Sequence, residues 1–385
     1  MPQRRHGTCA GGLAHLRSVG ISLDLRPVVN SDPQSLRVAL IGYGFAGKTF
    51  HAPLISAVSG LALTHVASSD ASKVLRDWPG VRVVATPDEA FRNPEIDVVA
   101  IATPNTTHFD LARNALLAGK HVVVDKPFTI TVGEASELIA LSRSCSRLLS
   151  VFHDRRWDAD FLTVRELLAS GRLGEVVHFE SHYDRFRPEV RVRWRELPGP
   201  GSGIWYDLGY HLVDQALQLF GVPDTILADF AAQRKGGQVV DYFHVVLCYG
   251  PRRVILHGGS LVHAGSARFV IHGTRGSFVK NGMDPQEEAL KAGRMPGGAD
   301  WGVDPRDGTL FYVEGGELRS EIIPTLRGNY GAYYQGVHDA IRNGGEAPVT
   351  TTEAIRVMTI LELAARSDAM GIVMRMPDAS NPPLS

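Results

Sequence analysis

The chain has 385 residues, 44% of them hydrophobic and 21% charged, with 40 Lys and Arg against 41 Asp and Glu. That profile belongs to a globular protein too long for one ordinary core, and a net charge of −1 gives no electrostatic footing for nucleic acid or an anionic membrane. No stretch approaches the roughly 18 uninterrupted apolar residues of a membrane span, and Cys9, Cys145 and Cys248 show neither CxxC nor zinc spacing, so a small-molecule function in the reducing cytoplasm is expected.

Residues 1–35 contain several arginines and only Asp24 and Asp32 as acids; they read as a poorly ordered extension, and no apolar run after Arg4-Arg5 is long enough for an export signal. From Leu36 to about residue 153, short β-branched runs alternate with amphipathic ones, as parallel βαβ units do. Strands are expected at 36–41, 62–67, 81–84, 97–102, 121–125 and 148–152, with helices at 46–58, 87–92, 106–118 and 131–145. Thr131 and Glu134 form a capping box, and Gly119 closes a helix.

The first turn carries the strongest signal. Val38 to Ile41 leads into Gly42-Tyr43-Gly44-Phe45-Ala46-Gly47, a GxGxxG between strand and helix. The first glycine permits the tight bend, the second lets backbone approach a pyrophosphate, and the third lets helix pack closely on strand. The helix N-terminus then aims its N–H groups and positive dipole at the phosphates. About 20 residues on, an NAD enzyme carries an acid for the ribose 2′-hydroxyl. Here stand Ser68 and Ser69, with Lys73 or Arg76 a turn later, a set that accepts a 2′-phosphate and favours NADP, with NAD as the other cofactor; Asp70 is the rival ribose acid.

Beyond residue 153 the texture changes to an α+β pattern, with an open, mostly antiparallel sheet. A helix at 158–169 and another near 205–220 precede strand-like runs at 225–234, 239–248, 253–260, 267–272 and 277–280, and helices return at 330–343 and 351–369 with Thr351 or Thr352 as cap. The division is therefore an extension at 1–35, a doubly wound dinucleotide-binding Rossmann domain at 36–153, a substrate and oligomerisation domain at 154–329, and terminal helices at 330–385 that return to the interface. Loops 183–203 and 282–309 show no periodicity.

Three clusters carry chemistry. Asp125-Lys126-Pro127 follows the fifth strand, at the carboxyl edge where α/β enzymes bind ligands, and the proline suits a rigid, cis bend. Asp207 and His211 lie four apart on one helix, a titratable pair able to move a proton near neutral pH, with Asp214 as another carboxylate within reach of the ring. Thr103-Pro104-Asn105, continuing to His108, forms the turn after the fourth strand and flanks the cofactor, although Asn105 or Thr106 also suits a helix cap.

Together with the glycine turn, these clusters resemble the glucose–fructose oxidoreductase, inositol dehydrogenase and MocA (Gfo/Idh/MocA) family from about Leu36 to the tail. Gly-Phe-Ala-Gly-Lys-Thr-Phe-His at 44–51, Val-Phe-His at 151–153, Arg-Arg-Trp-Asp at 155–158 and Phe-Arg-Pro at 186–188 are similar to the subgroup holding NADP-dependent scyllo-inositol dehydrogenases. The resemblance implies a catalytic triad of Lys126, Asp207 and His211, with Asp125 replacing a glutamate, and a substrate pocket lined by Asp154, Arg155 and Tyr242. Asp154 stands where the subgroup has asparagine. The implied reaction is reversible oxidation of a secondary alcohol on a cyclitol or sugar, with His211 and Lys126 able to exchange roles and no metal, since the histidines are scattered. Redox-assisted elimination or epimerisation on a retained cofactor, and a non-enzymatic Rossmann redox sensor, are the competing readings. A homodimer or homotetramer through the second sheet follows from the family habit and from the apolar face an open sheet leaves bare.

Overall fold

The computed structural model describes residues 34–191 and 194–377; the 1–33 part of the extension, with Cys9, lies outside the described residues. Two sheets organise the rest. The first comprises β1 (Leu36–Ile41), β2 (Leu61–Ala67), β3 (Arg82–Val84), β4 (Val98–Ile101), β5 (His121–Val124) and β6 (Leu149–Val151). They run parallel in the order β3-β2-β1-β4-β5-β6, the doubly wound dinucleotide-binding arrangement. The uninterrupted apolar runs of β4 and β5 are buried because helices cover both faces.

The helices of this half are α1 (Ala52–Ser56), α2 (Ala71–Asp77), α3 (Pro87–Arg92), α4 (His108–Leu117) and α5 (Val132–Ser144). The helix expected at 46–58 opens as a π turn over Gly47–His51, and α2, whose lone buried residue is Val74, gives no hydrophobic stripe for a sequence reading to find. Thr131 does cap α5 and Glu134 completes the box.

The second sheet has nine strands in the order β14-β13-β12-β11-β7-β10-β9-β8-β15. β7 (Val176–His182) and β10 (Arg252–Gly259) form its one parallel pair; β8 (Thr225–Ala231), β9 (Tyr242–Tyr249), β11 (Phe269–Gly273), β12 (Gly276–Lys280), β13 (Gly308–Glu314), β14 (Glu317–Ile323) and β15 (Met374–Arg375) are antiparallel to their neighbours. Sequence reading passes over β7, β13, β14 and the two-residue β15. β7 places Ser181 inside, against the buried Arg268 guanidinium at 2.7 Å, and β14 is exposed almost throughout, so neither shows the apolar alternation of a half-buried strand.

Helices α6 (Ala159–Ala169), α7 (Tyr210–Phe220), α8 (Gln286–Lys291), α9 (Gly331–Asn343) and α10 (Thr351–Met370) complete the structure. The cap of α10 is Thr350, one residue before the expected pair, with Glu353 reaching back to its N–H. α10 packs against β8 and α7 of one half and against α5 and β6 of the other, and Trp205 donates its indole N–H to Leu361 O at 3.1 Å.

Candidate active site

The glycine turn is built as its spacing requires. Gly42 has φ +96°, and a Cβ there would stand 2.8 Å from Ala102 O; a Cβ on Gly47 would stand 2.1 Å from Gly42 O. At Gly44 a Cβ meets nothing within 4 Å, so the backbone faces open space where a pyrophosphate fits. Gly42, Tyr43 and Gly44 line a cleft of about 370 Å³ together with Ser68, Ser69, Asp70, Lys73 and Thr103. The cleft at the carboxyl ends of β1 and β2 thus fits the nucleotide half of a dinucleotide on geometry alone.

Its residues divide by what they touch. Asp70 caps α2, accepting from the Lys73 N–H at 2.9 Å and from Ser72 at 2.8 Å, so its carboxylate is turned to its own helix. Lys73 Nζ donates to Tyr43 O at 2.9 Å and lies 5.6 Å from the Tyr43 ring centroid. Arg76 is exposed beside Asp77 and does not line the cleft. In the next turn, Thr103 Oγ1 bonds Thr107, and Pro104 carries the backbone into a short 3₁₀ turn at Asn105–Thr107. His108 is spent internally: its ring nitrogens meet Pro127 O at 2.6 Å and Thr103 O at 3.0 Å, so it ties the two turns together and does not reach the cleft as expected. Asn105 is buried, its amide atoms have no hydrogen-bond partner among the described residues, and it lines neither the cleft nor the larger cavity, contrary to expectation.

A larger cavity, about 550 Å³, adjoins Phe45 and Ala46 and holds Asp125, Lys126, Asp154, Arg155, Asp207 and His211. Lys126 precedes a cis proline, Pro127. Its ammonium donates to Asp207 Oδ1 at 3.0 Å and to Asp207 O at 2.8 Å, joining residues 81 apart in sequence. Asp207 sits in a π turn, Trp205–Gly209, that feeds α7; a side chain on Gly209 would strike the Trp205 ring at 2.4 Å. Such π turns recur at functional sites, and no apolar periodicity announces them.

The electrostatics separate the roles. Burial disfavours the Asp207 carboxylate, but Lys126, Arg195 and Arg185 outweigh it and hold its pKa well below the ordinary range. Burial, then Lys126 and Arg155, push His211 well below the usual histidine value, so its imidazole is neutral near pH 7. His211 Nδ1 has no hydrogen-bond partner among the described residues, whereas Asp214 is engaged by Arg156 at 2.6 and 2.8 Å and so does not orient that ring. Asp125 receives the Lys126 N–H at 2.8 Å and faces His51 Nε2 at 3.7 Å; despite burial, His51 and Lys126 keep its carboxyl low. Burial raises Asp154 to about 7, only partly offset by Arg155.

Arg155 stacks 5.1 Å from the Tyr183 ring centroid and pairs with Glu287. Tyr242 departs from expectation. It opens β9 on the face opposite Phe243, which is buried against Trp205, so it packs edge-on to His257 at 5.2 Å and is absent from the cavity lining. Strand alternation decides this. Sequence reasoning missed Tyr183, Arg185, Glu287 and Lys291, which also line the cavity. The Phe-Arg-Pro motif at 186–188 flagged the neighbourhood of the first two; Glu287 and Lys291 ride on α8, in a segment read as irregular.

Comparison with known proteins agrees with this architecture. Residues 36–153 match an oxidoreductase family's NAD-binding Rossmann fold, and residues 165–376 match the C-terminal alpha/beta domain of the same family. The chain belongs to the Gfo/Idh/MocA oxidoreductase family. It is 58% identical to the uncharacterized oxidoreductase YdgJ of Escherichia coli over 333 residues, covering 86% of this chain and 96% of that one. It is 41% identical to the scyllo-inositol 2-dehydrogenase (NADP(+)) IolW of Bacillus subtilis over 335 residues, 86% and 94% of the two chains. Among solved structures, an oxidoreductase of Yersinia pestis superimposes with a TM-score of 0.87 at 53% identity, covering 90% of this chain and 98% of that one. As a Gfo/Idh/MocA member the protein is an NAD(P)-binding oxidoreductase enzyme. No helix of the described residues is long and apolar enough to cross a membrane.

Proposed function

We propose that this oxidoreductase is a cytoplasmic, NADP-preferring dehydrogenase that oxidises, reversibly, a secondary alcohol on a cyclitol or sugar ring. One observation carries the reading: the Lys126 ammonium and the neutral His211 imidazole line one cavity, with ionised Asp207 bonded to the lysine. An ammonium has three donors. Two go to Asp207, leaving the third for a substrate oxygen, where it stabilises negative charge as the hydroxyl proton departs. His211 takes that proton, since it lines the same cavity as Lys126 and its imidazole is uncharged. Asp207 fixes the ammonium and balances its charge. A bound nicotinamide supplies the hydride acceptor, or donor in reverse.

Ser68, Ser69 and Lys73 support NADP, because two hydroxyls and an ammonium line that cleft and its one carboxylate, Asp70, is engaged through Oδ1 in capping its own helix. The similarity to a scyllo-inositol 2-dehydrogenase supports a cyclitol. The cavity lining favours a charged variant of that substrate: Lys126, Lys291 and Arg155, Arg185, Arg187, Arg191 and Arg195 outnumber four carboxylates, which suits a polyol or sugar bearing an acid group. A homodimer or homotetramer is supported by the second sheet's helix-free face, where Val313, Leu318 and Ile322 are exposed. Screening inositols, aldoses and sugar acids at 340 nm with NADP and then NAD tests the reading. Turnover with NADP on a ring alcohol is expected; cofactor retained through purification with no net absorbance change favours elimination or epimerisation instead.

A further inference from the structure

Histidines scattered along the sequence converge on the helix-free face of the second sheet. β7 alternates, so His178, Glu180, His182 and Asp184 share one face while Tyr183 and Arg185 turn to the substrate cavity. The parallel register sets His257 of β10 directly beside His182. The ligand atoms of His182, Asp184 and His257 all lie within 4.8 Å of one another.

We propose that these three residues bind a divalent transition metal, zinc being the best fit, in a site separate from the catalytic cavity. The spacing supports coordination over hydrogen bonding. His182 Nδ1 stands 3.5 Å from Asp184 Oδ2, and His257 Nε2 stands 3.4 Å from Asp184 Oδ1. Both separations exceed an ordinary N–H···O bond of about 2.7–3.2 Å. Each is close to the roughly 3.3 Å between two ligand atoms held about 2.0–2.1 Å from a tetrahedral zinc; they run to different oxygens of Asp184, so the carboxylate sits between the two rings with one oxygen turned to each. Among the described residues, His182 Nδ1 and Asp184 Oδ2 are buried with no hydrogen bond, facing each other only across that 3.5 Å gap, and the Asp184 side chain is only 3% exposed. Buried polar atoms without hydrogen bonds are costly, and a shared cation satisfies both at once.

The surroundings orient the ligands as an outer shell does. Glu180 Oε2 meets His182 Nε2 at 2.9 Å; when that nitrogen carries the proton, the Nδ1 lone pair is turned to Asp184. The other Glu180 oxygen meets His178 at 2.7 Å, and Gly259 N–H anchors Asp184 Oδ1 at 3.0 Å. Two imidazoles and a carboxylate with a fourth position open are a donor set suited to zinc. Bound there, the ion clamps β7 to β10 at the stretch whose alternate residues, Tyr183 and Arg185, wall the substrate cavity.

The test uses the full-length, untagged chain, stripped with a chelator and titrated with zinc against a chromophoric competitor. One equivalent per chain is expected to bind with micromolar or better affinity. His257→Gln and Asp184→Asn should each weaken it at least tenfold, Glu180→Gln about tenfold, and His244→Gln, a neighbour outside the triad, not at all. Saturating zinc should raise Tm by roughly 3 °C in the unsubstituted chain but not in His257→Gln. Absence of stoichiometric binding, or equal affinity in His257→Gln, Asp184→Asn and the unsubstituted chain, overturns the site. Circular dichroism confirms that each variant is folded, and no readout depends on the dehydrogenase assignment.

Discussion

The two ends of the ligand cleft are made differently. At the nucleotide end, neighbouring residues and the backbone do most of the shaping: Gly42, Gly44 and Gly47 belong to one turn, and each is needed for the space it leaves. At the substrate end, side chains far apart in sequence are held by charge, as Lys126 is held by Asp207 and Arg155 by Glu287. The first kind of site is specified by local conformation: Gly42 and Gly47 leave no room for an added atom, and Gly44 leaves room that a ligand would use. The second depends on partners, and losing one partner disturbs the protonation of the rest.

The largest effect expected from this contrast is at the charged end. Lys126→Ala and His211→Ala should each lower kcat by about 10²–10⁴ while leaving cofactor affinity, measured by fluorescence titration, within about threefold. Full turnover in either variant would remove that residue from the proposed chemistry. At the backbone end, Gly44→Ala and Gly47→Ala separate binding from folding. Gly44→Ala should leave Tm unchanged, since nothing lies near its Cβ, yet weaken NADP more than tenfold. Gly47→Ala should cost stability, about 1–3 kcal/mol, because its methyl meets Gly42 O. Equal thermal shifts in the two variants would contradict the assignment of separate roles.

A smaller effect is expected at the ribose. Ser69→Asp should move the NADP to NAD preference about tenfold toward NAD, roughly 1.4 kcal/mol of discrimination, read from the ratio of kcat/KM values. The smallest concerns Asp154. Burial raises its pKa in the folded chain from 3.8 to about 7, so its contribution to stability is complete below about pH 4 and is lost as pH rises through 7. Asp154→Asn should flatten that part of the stability profile in chemical denaturation between pH 4 and 8. Below pH 7 the protonated acid donates to a hydroxyl as an amide does; above it, it can only accept. The substitution should therefore change the KM for the best polyol by less than tenfold, and mostly at alkaline pH.

The sequence made the first half legible because turn chemistry and apolar runs are local. The positions of β1 to β6, the Thr131 cap and the GxGxxG turn all follow from residues within a few positions of one another. Lys126, Asp207 and His211 were found through short motifs, but that the lysine would spend two donors on Asp207 depends on the π turn at Trp205–Gly209. Tyr242 was misplaced because one step along a strand changes the face, and motif position alone does not supply that parity. β7 was unreadable for a related reason. Its inward Ser181 is matched to a buried arginine, an interior partnership no hydropathy pattern displays.

Helix α10 has a mechanical consequence. Because one helix is embedded in both halves, and is pinned by the indole of Trp205, neither half can melt without stripping apolar cover from the other. Calorimetry should therefore give a single cooperative endotherm, and a nucleotide docked at one extremity should slow amide exchange across the far sheet as well.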